Sequence, residues 1–319
     1  MEISVVIPTY RRPLLLMECL KALARQRFDR SSFEVLVISD GPDKLTQNVV
    51  ASWEHTGLLD VTYFPLDHHK GPAAARNAGW KIASGELVAF TDDDCVPDEF
   101  WLESLWAAHE LYPQAAFAGK LIVPVSDHPV DYEWNTAQLE KADFVTANCA
   151  VPRQLLEKVG GFDERFSMAW REDSDLAFSL IQHHVTVVAL PYARVVHPVR
   201  KAGWGVSMKE QKKTMFNALL MRKFPGYYRK YIHQSPPWYF YAAVVALVLT
   251  IGLWLAGHYN GSLVAAGVWL LLIMSFAVKR LRYTSRALPH VVEMLVTSAF
   301  IPMLSVYWHF YGLWKFGKL

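Results

Sequence analysis

Thr91-Asp92-Asp93-Asp94 sets three consecutive carboxylates directly after the apolar run Leu87-Val88-Ala89-Phe90. Carboxylates crowded where a strand leaves a sheet repel one another unless a cation sits among them, and hard oxygen donors suit Mg2+ or Mn2+. Such an ion bridges a diphosphate and stabilises its charge as it departs. The same run also suits a solvated acidic loop, with Asp98 and Glu99 favouring the N-terminus of a following helix. A second candidate is Gly71-Pro72-Ala73-Ala74-Ala75-Arg76-Asn77-Ala78-Gly79. Its small residues permit close backbone approach, a helix N-terminus suits an anion, and Lys70 and Arg76 supply cations, although alanines with an arginine at helical spacing are more often packing and surface. Two polar exits, Pro8-Thr9-Tyr10-Arg11 after Val5-Val6-Ile7 and Asp40 after Val37-Ile38-Ser39, suit a base and ribose.

These groups need a scaffold that brings several chain exits to one place. Ile3 to Ile7, Glu34 to Ser39, Val61 to Pro65 and Glu86 to Thr91 are short β-branched runs that read as strands. Between them, Pro13 to Arg25 carries Leu16, Leu20 and Leu23 at helical spacing, and Pro72 to Ala83 opens with proline in a favourable first-turn position. Strand and helix in alternation predict βαβ units and a mostly parallel sheet, which binds ligands at the carboxyl ends of its strands. Beyond Ala115 the alternation loosens, with strands expected at Lys120 to Val123, Phe144 to Ala150, Thr186 to Ala189 and Arg194 to Val196. That half is expected to build the acceptor side.

Composition changes character along the 319 residues: no Asp, Glu, Lys or Arg occurs between Lys230 and Lys279. Trp238 to Ala256 and Ser262 to Val278, roughly 19 and 17 residues, are near bilayer-spanning length. Pro289 to Trp314 is apolar but holds Glu293, Pro302 and His309, which leaves a third span, a re-entrant hairpin and an interfacial helix all open. Basic residues from Lys209 to Lys230 precede the first run, and Lys279, Arg280, Arg282 and Arg286 follow the second, so both clusters are expected on the cytoplasmic face. Ser207 to Phe224 suits a helix lying on a membrane surface, or an ordinary packed helix with a basic outer side. A soluble domain at 1–204, a basic juxtamembrane segment at 205–235 and a membrane domain at 236–319 are therefore expected. A formal net charge of +2 is too small to suggest a nucleic-acid binder, and no nucleic-acid partner is expected. Cys19, Cys95 and Cys149 lack the spacing of a disulfide framework or a zinc site, and Met1 to Ile7 has no leader-like pattern. The first domain is expected on the side where it is made.

Six segments together resemble the inverting family 2 glycosyltransferases of the GT-A fold: Val5 to Arg12, Ser39 to Asp43, Gly71 to Gly79, Phe90 to Pro97, Gly160-Gly161-Phe162-Asp163-Glu164, and Arg171-Glu172-Asp173-Ser174-Asp175-Leu176. Their order and spacing carry the resemblance, which covers roughly residues 3 to 200 and implies a nucleoside-diphosphate sugar donor. It also implies that Asp40 contacts the base and that Asp92 and Asp94 form the Asp-any-Asp metal motif. Asp94 would be the main ligand, Asp92 would lie nearer ribose and sugar, and Asp93 would be the variable middle position. His197 would complete the metal site. Inversion requires a carboxylate to take the proton of an acceptor hydroxyl. By resemblance that base is Asp173, with Glu172 and Asp175 orienting it or the acceptor, although Asp173 and Asp175 also suit the start of a helix.

Asn148 and Trp170 suit acceptor contacts, and Trp170 equally suits a core. The processive polysaccharide synthases of the resembled family carry a Gln-any-any-Arg-Trp motif after the base; none follows Asp173, so the resemblance implies single transfer rather than polymer synthesis. The expected protein is a membrane-attached, multi-pass transferase of cell-envelope glycan or glycolipid synthesis, acting on a lipid-linked or other hydroxyl acceptor. Transfer to a polyprenyl phosphate, which needs no base, and a non-catalytic nucleotide-binding membrane module are the alternatives.

Overall fold

The computed structural model describes residues 1–232 and 235–317; residues 233, 234, 318 and 319, inside the expected stretches 205–235 and 236–319, lie outside the described residues. The chain divides into two compact units, Met1–Pro124 with Gln138–Val199, and Val125–Ala137 with Arg200–Leu319.

The first unit is built on β1 (Ile3–Thr9), β2 (Phe33–Ser39), β3 (Val61–Pro65), β4 (Leu87–Thr91), β5 (Val96–Pro97), β6 (Ala116–Ile122), β7 (Asn148–Pro152) and β8 (Val187–Val196). They form one sheet in the order β3-β2-β1-β4-β7-β6-β8-β5. β1 pairs in parallel with β2 and β4, β2 with β3, and β6 with β8, while β7 runs antiparallel to β4 and β6, and β5 to β8. β1 and β4 are buried throughout, as expected where both faces of a parallel sheet are covered.

The helices that position the first half are α1 (Pro13–Leu23), α2 (Lys44–Thr56), α3 (Pro72–Ile82) and α4 (Trp101–Leu111). α3 lies tight on β1, because a Cβ at Gly79 would collide with Val6, and Ala73, Ala75 and Trp80 join Val6, Val88 and Phe90 in the core. α6 (Arg153–Val159) and α7 (Glu172–Gln182) complete this unit.

The second half departs from expectation in detail. Phe144, Val145 and Ala147 are buried in a turn closed by the Asn148 amide on the Val145 carbonyl, so their apolar character reflects burial, and the strand begins only at Asn148. The two short strands expected at 186–189 and 194–196 are one strand, β8, with a register irregularity opposite Gly119 and Lys120.

Val125–Ala137 was expected inside the first domain but belongs to the second unit, and its helix α5 spans Asp131–Ala137. A buried guanidinium demands a carboxylate. Arg280 finds it in Asp131 at 2.7 Å, and also donates to Thr297 Oγ1 at 2.6 Å and Ser207 Oγ at 3.0 Å. Trp134 stacks on Tyr283 with centroids 5.1 Å apart.

The stretch read as one helix from 207 to 224 is broken into α8 (Val206–Glu210), a 3-10 turn (Gln211–Met215) and α9 (Phe216–Lys223). Its apolar side is covered by protein: Met215, Phe216, Leu219 and Leu220 are buried, and Phe216 meets Phe316 at 5.9 Å between ring centroids. α10 (Pro225–Tyr227) and a π-helical turn (Tyr228–Ile232) follow. Three helices, α11 (Trp238–Leu255), α12 (Tyr259–Leu281) and α13 (Leu288–Phe316), are long and apolar enough to cross a membrane. α13 is one continuous helix of 29 residues with Pro302 inside it, not a hairpin.

Candidate active site

Successive residues leaving a strand face different ways, and the aspartate run separates accordingly. Asp92, at the mouth of β4, receives Arg76 Nη2 at 2.7 Å. Asp93 turns inward: it is 1% exposed and accepts from Thr9 Oγ1 at 2.8 Å and Arg12 Nη1 at 3.2 Å. Burial pushes Asp93 up to about 6, against the pull of Arg12 and with repulsion from Asp94. Asp93 and the Thr9 hydroxyl, both expected at the donor, tie the exits of β1 and β4 together.

Asp94 is buried and its Oδ1 lies 3.7 Å from Nε2 of His197, which follows β8. One donor atom each from Asp94, Cys95 and His197 fall within 4.8 Å of one another, and the buried His197 Nδ1 has no hydrogen-bond partner among the described residues. A carboxylate and an imidazole facing each other fit a divalent ion. Cys95 was not foreseen here. Burial pushes its thiol well up, with repulsion from Asp92 and Asp94, and a neutral thiol is a weak ligand for a hard ion. Asp92, expected as the second ligand, lies outside this group and is held by Arg76.

Asp40, at the end of β2, accepts the backbone amides of Lys70 at 2.7 Å and Gly71 at 2.9 Å, and meets His69 Nδ1 at 2.7 Å. Lys70 thus acts through its main chain, whereas its side chain is exposed. Pro8 lies within buried β1, paired with Ile38. Tyr10 is exposed and stacks on His69, and Arg11, at φ 55°, sets its guanidinium 5.3 Å from the Tyr10 ring centre.

Gly71, at φ 103°, opens α3 against the Ser167 backbone, where any Cβ would collide. From α3, Asn77 donates to the Phe162 carbonyl at 2.8 Å and accepts its amide at 2.9 Å, anchoring the chain that leads to α7. The two glycine segments singled out in the sequence are therefore in contact. Arg76, expected as a cation for an anion at the start of α3, is buried: it joins Asp92 to Glu172 Oε1, the latter at 3.2 Å. Burial works against its charge, but Asp92 and Glu172 outweigh that and raise its pKa.

Glu172, Asp173 and Asp175 lie in the first turn of α7, where the helix dipole favours carboxylates. Glu172 is pushed up to about 7 by burial and by Asp173, with Arg76 pulling back. Asp173 is half-buried, and its Oδ1 accepts from Ser174 N at 2.6 Å and Ser174 Oγ at 3.2 Å. Burial raises its pKa, against the pull of Ser174 and Arg171. Asp175 is 1% exposed. Trp170 is half-buried with the Arg171 guanidinium 4.8 Å from its ring centre, not a core residue. Asn148, expected as an acceptor contact, is fully buried: it accepts from Trp101 Nε1 at 2.9 Å and donates to the carbonyls of Lys120 and Ala193 at 3.0 and 2.9 Å.

Besides Cys95, His69 and Arg12 are residues here to which sequence reasoning gave no role. Arg12 closes the recognised segment Val5 to Arg12 and His69 stands two positions before Gly71, and only three-dimensional proximity distinguishes them from loop residues.

A mixed sheet with carboxylates at the mouth of β4 and the start of α7 is the GT-A form of the α/β fold. The mannosyltransferase PcManGT from Pyrobaculum calidifontis, solved with GDP-Man and Mn2+, superposes with a TM-score of 0.58 at 19% identity, covering 98% of this chain and 87% of that one. TarS 1-349 of S. aureus, solved with UDP-GlcNAc, superposes with a TM-score of 0.55 at 16% identity, covering 95% and 91%. Residues 4–163 match the family described as Glycosyl transferase family 2, and 92–310 match Glycosyl transferase family group 2; the chain belongs to glycosyl transferase family 2. It is 29% identical over 248 residues to a validoxylamine A glucosyltransferase of Streptomyces hygroscopicus subsp. jinggangensis, covering 66% of this chain and 56% of that protein. It is 31% identical over 216 residues to the pre-mycofactocin glycosyltransferase of Mycobacterium tuberculosis, covering 62% and 43%. The chain thus spans about half the length of these curated relatives.

Proposed function

We propose that this chain is a membrane-attached inverting glycosyltransferase that moves a sugar from a nucleoside-diphosphate sugar to a hydroxyl acceptor. The observation that carries this reading is the buried Arg76 joining Asp92, at the strand end suited to a donor, to Glu172 beside the candidate base. Donor class is supported by the solved neighbours, one with GDP-Man and Mn2+ and one with UDP-GlcNAc.

Asp94 and His197 would hold a divalent ion, Mg2+ or Mn2+, which when bound neutralises diphosphate charge. Tyr10 and Asp40 receive the base. Asp173 acts as general base: Ser174 occupies Oδ1, so Oδ2 takes the proton as the acceptor oxygen attacks the anomeric carbon. Its raised pKa strengthens it for that step. Trp170 offers an aromatic face to the acceptor. The three membrane-length helices favour a lipid-linked acceptor confined to the same surface, and the basic residues bordering α11 and α12 favour a cytoplasmic catalytic unit.

A donor screen on the full chain in detergent, reading released nucleoside diphosphate with and without Mg2+ or Mn2+, tests the reading. Metal-dependent release from one sugar nucleotide is expected. Release without any metal requirement overturns the assignment of Asp94 and His197.

A further inference from the structure

The nucleobase end of the crevice is covered by a ring of the chain itself. Tyr10, 37% exposed, lies just past β1, and Asp40, 4% exposed, just past β2. His69 spans both: its ring stacks on Tyr10 with centroids 4.3 Å apart and planes 27° apart, and its Nδ1 lies 2.7 Å from Asp40 Oδ2.

A flat aromatic stack and a ring N–H aimed at a carboxylate are the two contacts through which a nucleobase is held on such a shelf. The His69 imidazole makes both at once. Asp40 already accepts two backbone amides, from Lys70 and Gly71, and is almost fully buried, so little of its carboxylate is left for a further donor while His69 is in place. The imidazole is 55% exposed, so rotation about its own side-chain bonds meets little packing. Its backbone, by contrast, is seated where Gly41 leaves room: a Cβ there would stand 3.4 Å from the His69 amide nitrogen.

From this we infer that His69 is a stand-in for the nucleobase, occupying its place on Tyr10 and Asp40 in the unliganded chain and swinging out when a nucleotide enters. The inference rests on the donor reading above and deepens it. A ligand with a base displaces the imidazole by making the same two contacts over a larger ring. A diphosphate without a base leaves it in place. His69 thereby sets the margin by which a nucleotide is selected over other metal-bound diphosphates.

The alternative is that His69 remains and becomes a wall of the base site, and the two differ in sign. Isothermal titration of the full chain in detergent with Mn2+ compares wild type and His69→Ala, using UDP and GDP as base-bearing probes and inorganic pyrophosphate as the base-free one. Removing a competing stack and hydrogen bond should tighten whichever nucleoside diphosphate the wild type binds by about threefold to tenfold, and leave pyrophosphate unchanged. A matching melting temperature confirms that the variant is folded. Equal or weaker nucleotide binding by His69→Ala, or equal tightening of pyrophosphate, overturns the stand-in while the donor reading stands. Absence of nucleotide binding by the wild type overturns both.

Discussion

Arg76 and Glu172 are 96 positions apart in the chain and meet at 3.2 Å, both buried, at the junction of α3 and α7. The second carboxylate on Arg76 is Asp92, so one guanidinium spans the groups assigned to donor and acceptor. Position and charge at the two ends of the crevice are thereby linked through a single side chain.

Replacing Arg76 with Gln leaves Glu172 buried without its cation. A loss of roughly 3 kcal/mol in stability is expected, because breaking one side of a buried pair strands the other charge. Adding Glu172→Gln in the same chain should recover part of that loss without recovering transfer. Chemical denaturation and a turnover assay on the wild type and the two variants separate these effects.

Asp173→Asn should lower kcat by about a hundredfold to ten-thousandfold, the usual contribution of a positioned base. Affinity for the nucleoside diphosphate should not change. Largely retained turnover would instead identify an acceptor that is already an anion, such as a polyprenyl phosphate.

The three adjacent aspartates should respond differently. Asp94→Asn and His197→Ala are expected to abolish metal-dependent nucleotide binding, read by titration with and without Mn2+. Asp93→Asn, which faces Thr9 and Arg12, should bind nucleotide normally and lose about 1 kcal/mol of stability.

Glu172 gives a pH dependence with a definite sign. Its folded value, about 7, lies above the ordinary 4.5, so between those values the folded chain holds a proton that the unfolded chain has released. Stability from this group therefore falls as pH rises through that window, and the full cost is present above it. Glu172→Gln should flatten the slope in melting temperature between pH 5 and about 7. Turnover runs the other way: with the Asp173 pKa raised by burial, activity should be lost on acidification at a higher pH than for an ordinary carboxylate.

Asn148→Ala removes the partner of Trp101 Nε1 and the donor to two carbonyls inside the sheet. About 2 kcal/mol or more of stability should be lost, since Trp101 Nε1 and the Ala193 carbonyl are left buried and each stranded buried group costs roughly 1–3 kcal/mol. The KM for acceptor of the folded fraction should not change, which distinguishes a sheet residue from an acceptor contact.

The first half of the sheet was legible because local pattern and tertiary environment agree there. Val5-Val6-Ile7 and Leu87-Val88-Ala89-Phe90 are apolar on both faces and lie in a sheet covered on both faces. Phe144, Val145 and Ala147 show where that logic fails: burial in a turn demands the same residues as burial in a strand. Asn148 shows a related limit. An amide in a strand looks the same in sequence whether it faces solvent or binds two main-chain carbonyls.

What the sequence alone determined is the type of chemistry and its rough address: a carboxylate run after an apolar strand, a second acidic group opening a helix, and long uncharged segments whose transfer from water does not depend on their neighbours. Only the tertiary structure decided how those charges are divided. It turned Asp93 inward to Thr9, set Asp94 opposite His197, and buried Arg76 between Asp92 and Glu172. A side chain's partners and desolvation depend on groups brought near by folding, many of them distant in the chain, so no local pattern encodes them.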